Sequence, residues 1–195
     1  LVKLTGNNIK DVTPLAECGN IQYLDLAKNQ IADVAPLGKL VKLQYLQLDD
    51  NQIQNIEPLG QLKALTALYL SRNQVESLAP LSPLEKLTSL YLEKNKVSDV
   101  GPLKSVKWLS NLDLRDNQVQ DVAPLAALTE LRWTFLDRNK IEDISPLVEA
   151  AKKDAAGDKR FAPYWNLYLG GNPLNDASKA QLATLKEIGV RLKME

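Results

Sequence analysis

A chain of 195 residues with 45% hydrophobic and 25% charged residues has the composition of a folded domain or a short repeat array, which argues against disorder. Its 24 basic residues balance 24 acidic ones, so the total charge supplies no long-range attraction to nucleic acid or anionic lipid. No apolar run approaches the roughly 20 residues that cross a bilayer, residues 1–20 do not read as a secretory signal, and a single cysteine builds no internal disulfide framework.

From its N-terminus the chain repeats itself every 22 residues. Asn recurs at Asn7, Asn29, Asn51, Asn73, Asn95, Asn117 and Asn139, Pro recurs at the same interval from Pro14 to Pro146, and a Leu follows each Pro. Such a period overrides local propensity. Each copy opens with apolar residues two apart, such as Leu24 with Leu26 or Leu90 with Leu92, which predicts a short strand with one buried face. Identical strands at a fixed period must stack in parallel. The Asn that follows has donors and an acceptor for the backbone of the bend in its own and the neighbouring copy. An apolar residue two positions on, Ile9 through Ile141, returns the chain to the core. Then comes a short polar side chain, Asp11, Asp33, Asn55, Ser77, Asp99, Asp121 or Asp143, suited to capping the next turn. Pro three residues later opens a short helical or 3₁₀ turn, where its missing N–H is harmless. Cys18 shares a column with Leu40, Leu62, Leu84, Val106 and Leu128 and is expected to be a small buried hydrophobe.

Toward the C-terminus the pattern departs from itself. In the seventh copy the stretch LRWTFL puts Thr134 in the buried Leu column and Phe135 outside it, so either Phe135 is a contact residue or the register slips there. After repeats 1–147 an elongated repeat follows, with a helical insertion over 145–165. Ser145 as N-cap, Pro146 at the first helical position and Gly157 past the end predict a helix on the convex side. Phe161, Tyr164 and Trp165 are expected to anchor it against the last coils, with Lys159 and Arg160 exposed. The last repeat, 166–174, contains Asn172, 33 residues after Asn139. Residues 175–195 then read as an amphipathic helix begun near Asp176 or Ser178 and stopped at Gly189, followed by a strand-like VRLKM. No coil buries its own face, so the whole chain is expected to be one domain, closed by this C-terminal cap.

The consensus LxxLxLxxNxIxDxxPLxxLxx, carried from Val2 to about Leu174, resembles the leucine-rich repeats of the 22-residue class in bacterial internalins and in the repeat regulator of type one protein phosphatase. The resemblance implies an α/β right-handed solenoid, a horseshoe with a parallel sheet on its concave face and short 3₁₀ or α turns on its convex face. The elongated penultimate repeat with LYLGGNPLND resembles repeat proteins of environmental bacteria such as planctomycetes. Internalins carry a helical cap before the first repeat and none precedes Val2, so a longer N-terminus or a covering partner is expected at that edge. The resemblance also leans toward an exported or cell-surface bacterial protein, with any signal or anchor outside this chain.

Chemistry has few footholds. The absence of His removes the usual nucleophile triads and the commonest zinc ligand. No phosphate-binding glycine motif appears; Gly170 and Gly171 are only a pair at a turn. Asp49 with Asp50, and Asp113 with Asp116, read as solvated surface charge rather than a cation site. Neither catalysis nor a cofactor is expected. Function should lie on the positions that strand alternation turns onto the concave face. Five of the six Tyr fall in two adjacent columns there: Tyr23 and Tyr45 with Trp133, and Tyr69, Tyr91 and Tyr168 with Asp113 and Phe135. Arg72 and Lys94 flank them. Aromatic residues with Arg are the composition of interface hot spots, although cross-strand aromatics also stabilise a sheet that binds nothing. These ten residues are the expected contacts of a protein-binding module. A glycan-binding surface is the leading alternative, because rings stack on sugars, and a spacer or the recognition half of a larger protein is a third. Neither nucleic acid binding nor membrane insertion is expected. Trp108 is either an exposed contact or folded onto the rim.

Overall fold

The computed structural model describes residues 1–194. Each copy is one coil, and each contributes one short strand: β1 (Val2–Lys3), β2 (Tyr23–Asp25), β3 (Tyr45–Gln47), β4 (Ala67–Tyr69), β5 (Ser89–Tyr91), β6 (Asn111–Asp113), β7 (Trp133–Phe135), β8 (Asn166–Tyr168) and β9 (Arg191–Lys193). They form a single parallel sheet whose spatial order is the chain order. The register is one copy per strand, with Leu24, Leu46, Leu68, Leu90 and Leu112 paired in sequence. All five are fully buried. With the Ile/Val column and the Leu after each Pro they make one continuous core, in which each buried Leu is worth about 1.5–3 kcal/mol.

Two polar devices shape the bends. The Asn column forms a ladder: Asn95 Nδ2 donates to the carbonyls of Leu70 and Leu92 at 2.9 and 3.0 Å, while its Oδ1 accepts from Val75 N–H at 2.9 Å. The capping column starts the convex turns, where Asp11, Asp33 and Asp99 each accept from the backbone N–H two residues on at 2.7–2.8 Å. The following 3₁₀ turns, such as Ala35–Lys39 and Gly101–Ser105, each carry Pro in their opening positions.

Cys18 is exposed, contrary to the reading of its column. It belongs to the first coil, which packs against a neighbouring coil on one side only, whereas Leu40, one coil later and flanked on both sides, is fully buried. The seventh copy does not slip. Leu112 pairs with Thr134 and Thr134 with Leu167, so Phe135 points outward. Thr134 tolerates full burial because its hydroxyl accepts a 2.8 Å hydrogen bond from Trp165 Nε1.

The insertion forms helix α1 (Ser145–Ala156). Ser145 lies inside it and does not cap it; Asp143 accepts from Ser145 N–H at 2.8 Å, as its column does in every coil. Asp154 then folds the return segment, accepting from the N–H groups of Arg160 and Ala162 at 2.8 and 2.9 Å. Phe161 and Trp165 are buried, their rings 5.4 Å apart, but Tyr164 is 56% exposed and does not anchor. Its ring lies instead beneath the Arg132 guanidinium. The ladder resumes across the longer coil, where Asn172 Oδ1 accepts from Asn139 and Ile141 N–H at 3.2 Å.

The terminal helix α2 (Asp176–Ile188) begins at Asp176, the first of the two expected starts, with Asn175 as its cap: Asn175 Oδ1 accepts from Ser178 N–H at 2.8 Å. Ser178 is fully buried and its Oγ accepts from Ile144 N–H, which ties the cap to the seventh coil. Gly189 ends α2 at φ +105, a left-handed conformation that favours glycine. β9 then pairs with β8 and covers the last edge.

Candidate binding face

Every second strand residue points away from the core, and on the concave side these residues assemble into two aromatic ladders. The first crosses β2 to β5 diagonally. Tyr23 stacks on Tyr45 at 4.0 Å, Tyr45 leans on Tyr69 at 5.0 Å, and Tyr69 stacks on Tyr91 at 4.6 Å. The second occupies β7 and β8, with Phe135 4.4 Å from Tyr168 and 6.3 Å from Trp133. Between them β6 offers Asp113 where both neighbours have rings, Tyr91 and Phe135, and Asn111 between Ser89 and Trp133. The missing rings leave a hollow of about 610 Å³ walled by Tyr69 and Tyr91 on one side and Trp133 and Phe135 on the other. Trp133 is 42% exposed toward it.

The polar lining is largely self-paired. Arg115 clamps Asp113 through Nε at 3.0 Å, reaches Glu93 at 3.8 Å and lies 5.0 Å over the Phe135 ring. Arg72 grips Asp50 in two-pronged fashion and touches Glu93 at 3.3 Å. That guanidinium holds the Asp50 carboxyl below the usual carboxylate range, as Arg138 does for Asp116. Burial pushes the Asp49 and Asp137 carboxyls the other way, and burial also raises the phenols of Tyr45, Tyr69 and Tyr91. Asp137 accepts from Gly170 N–H through Oδ1, and its buried Oδ2 has no partner.

The rim column has a backbone conformation of its own. Lys28, Asp50, Arg72, Lys94, Asp116 and Arg138 all have φ of 53–57°, and Gly6 and Gly171 close the column at 72° and 70°. Side-chain residues enter this region at a cost of roughly 1–2 kcal/mol each. Here the turn is over-determined by the Asn ladder. Ion pairs then run sideways along the column, from Arg72 back to Asp50 and from Arg138 back to Asp116.

Of the ten expected contacts, Tyr45, Tyr69, Tyr91, Arg72, Asp113, Trp133 and Phe135 line this hollow. Tyr23 and Tyr168 extend the ladders at either end. Lys94 stands outside it on the rim, 3.8 Å from Glu93. Asp113 is a positioning residue and not a free contact, being 2% exposed with its carboxylate spent on Arg115. Gln47, Ser71, Glu93, Asn111 and Arg115 join the lining without having been singled out, and so does Asp49, which is half-buried here and not the solvated surface charge expected. Their signal was column membership alone. Trp108 is 59% exposed, away from this face. Among the described residues no group of three or more His, Cys, Asp or Glu is placed to hold a metal ion, and no helix is long and apolar enough to cross a membrane.

Residues 2–150 match a family described as leucine-rich repeat region. Among solved structures the chain is similar to the internalin inlF of Listeria monocytogenes, with 31% identity and a TM-score of 0.81 over 98% of this chain and 59% of that one. Internalin C2 of the same species gives 29% identity and a TM-score of 0.85 over 99% and 79%. A leucine-rich repeat protein of Leptospira interrogans, at 20% identity, TM-score 0.77 and coverage of 98% and 52%, shares the fold. No curated protein matches the chain. The chain thus spans 59% of the length of inlF. A repeat kept in phase through seven coils, one parallel sheet and a family match over three quarters of the sequence lead to one conclusion: this chain belongs to the leucine-rich repeat proteins, with coils of the internalin type.

Proposed function

We propose that the chain is a recognition module, not an enzyme, and that it holds a protein partner against its concave face. The observation that carries this reading is the hollow at β6, bounded by two aromatic ladders and floored by charges most of which are already paired. Covering the hollow therefore strands neither Asp113 nor Arg72 without a counter-charge, the arrangement that avoids the largest desolvation penalty, while Asp49 keeps hydrogen bonds from Gln47 and the Ser71 N–H. The ring walls supply the large, stiff contact area typical of hot spots. A partner side chain entering between Tyr91 and Phe135 finds a gap two strand spacings wide, about 10 Å.

A glycan is the second reading. It draws on the exposed Trp133 ring beside the Asn111 amide, a pairing of stacking surface and hydrogen-bonding edge. One experiment separates these possibilities. Extracts of the encoding organism and an oligosaccharide array are each probed with wild type and with the Tyr69→Ala, Tyr91→Ala, Trp133→Ala triple variant, after circular dichroism shows both folded. A protein captured by wild type and lost at least tenfold by the variant supports the reading. Loss of a sugar signal alone transfers it to glycans, and equal capture by both removes the hollow from consideration.

A further inference from the structure

Equal totals of acidic and basic residues conceal a separation of charge across the solenoid. Each coil leaves its convex turn and returns to the sheet along one flank. On coils two to five that flank comprises residues 38–44, 60–66, 82–88 and 104–110, and it carries Lys39, Lys42, Lys63, Lys86, Lys104 and Lys107 against a single carboxylate, Glu85. The opposite flank of the same coils, residues 30–35, 52–57, 74–79 and 96–101, carries Asp33, Glu57, Glu76 and Asp99 against Lys96 alone.

The two sets do different things. On the acidic flank Asp33 and Asp99 cap turns and Glu76 pairs with Lys96 at 3.6 Å. On the basic flank all six lysines are exposed, and none forms an ion pair with a described residue. Lys42 and Lys63 reach only the neutral oxygens of Asn20 and Gly60. Apart from those two bonds, no hydrogen bond or ion pair among the described residues engages these cations.

Their placement is regular. Backbone bonds from Thr66 to Gln44, Thr88 to Thr66 and Ser110 to Thr88, at 2.8–2.9 Å, hold the coils in step along this flank. The lysines therefore recur at the coil spacing, about 4.8 Å, over roughly 15 Å of solenoid. Large apolar side chains project among them: Val41 is 57% and Trp108 59% exposed. A shallow hollow of about 560 Å³ between Val41, Lys63, Pro83 and Lys86 links the rows.

We infer that this flank docks on the surface of an anionic lipid bilayer. Uncompensated lysines on one side are drawn to phosphate headgroups, and an indole is the side chain that settles at the boundary between headgroups and acyl chains. The array is several coils long and more than one row wide, so it complements a plane better than a single thread of polyanion. Adsorption of this kind needs no spanning helix. The flank shares no residue with the concave hollow, which stays open while the flank is engaged.

The test is co-sedimentation of the full chain with vesicles of mixed phosphatidylglycerol and phosphatidylcholine, against phosphatidylcholine alone, at low and high salt. Binding is expected only to the anionic vesicles and should fall steeply with salt. Lys63→Gln with Lys86→Gln should weaken it about fivefold per lysine, and Trp108→Ala by about tenfold. Lys96→Gln with Lys140→Gln removes as many cations from the opposite flank and should leave binding unchanged. All these side chains are exposed, and circular dichroism checks that the variants fold. Absence of sedimentation with anionic vesicles, or an equal loss in the Lys96 and Lys140 variant, overturns the inference. So does binding of soluble polyphosphate without vesicle binding, which would assign the lysines to an acidic polymer.

Discussion

Asn95 and Asn7 occupy the same column and do unequal work. Asn95 is 8% exposed and bonds backbone groups of two coils, so Asn95→Ala strands a buried N–H and carbonyls and should cost about 1–3 kcal/mol. Asn7 is exposed and its amide donates only to Thr5, so Asn7→Ala should cost under about 0.5 kcal/mol. Urea denaturation of both variants checks the contrast, and equal losses would refute the burial argument. Asp137 makes an opposite case. Burial raises its carboxyl pKa above the unfolded value, so the fold favours the protonated form and loses stability as pH rises from the unfolded pKa through the folded one. Asp137→Asn is therefore expected to stabilise the fold at neutral pH, a gain that vanishes in acid once the unfolded carboxyl is also protonated. Denaturation across pH reads this directly, and a gain independent of pH would point to some other cause. The Asn column could be read from spacing alone, because periodicity exposes it. The Arg115 clamp could not, since Arg115 had several acidic neighbours to choose from and only the fold selects Asp113.

Elements were legible wherever neighbouring copies agree. Strands β2 to β6 follow from alternation, and the 3₁₀ turns follow from the capping residue and Pro. The pairing of Thr134 with Trp165 was hidden, because the partners lie 31 residues apart and meet only through the path of the inserted segment. That contact reconciles two irregularities at once: the hydroxyl in the Leu column answers the indole the insertion delivers. Thr134→Val keeps the shape and removes the acceptor, so an expected loss of about 1–3 kcal/mol should appear in the thermal midpoint. The left-handed rim was marked only by Gly6 and Gly171 at its ends, since the intervening Lys, Asp and Arg residues ordinarily avoid that conformation. The hollow at β6 was equally faint, being defined by rings that Asn111 and Asp113 do not supply.

Across the whole molecule, contacts join each coil only to its neighbours, so stability should accumulate coil by coil and fray from the less protected end. The C-terminal edge is closed by α2 and β9, while the first coil leaves Leu4 and Ile9 only half-buried and Cys18 exposed. Native-state hydrogen exchange should find the Leu4 and Gly6 amides, bonded to Asp25 and Ala27, exchanging at least about tenfold faster than those of Leu70 and Leu92 in the centre. Uniform protection would mean that the array opens as one unit.

The bond from Asn139 to Asn172 carries a consequence for growth and engineering. One coil is eleven residues longer than the others, yet its strand pairs in step with those on either side. Convex length is thus uncoupled from concave register: the outer arc of a coil can take in foreign sequence while the inner face keeps its geometry. The exposed turn from Gly157 to Lys159, just past helix α1, is accordingly a natural display position, where a tag, loop or second binding motif could be carried without disturbing Trp133, Phe135 or the hollow they wall.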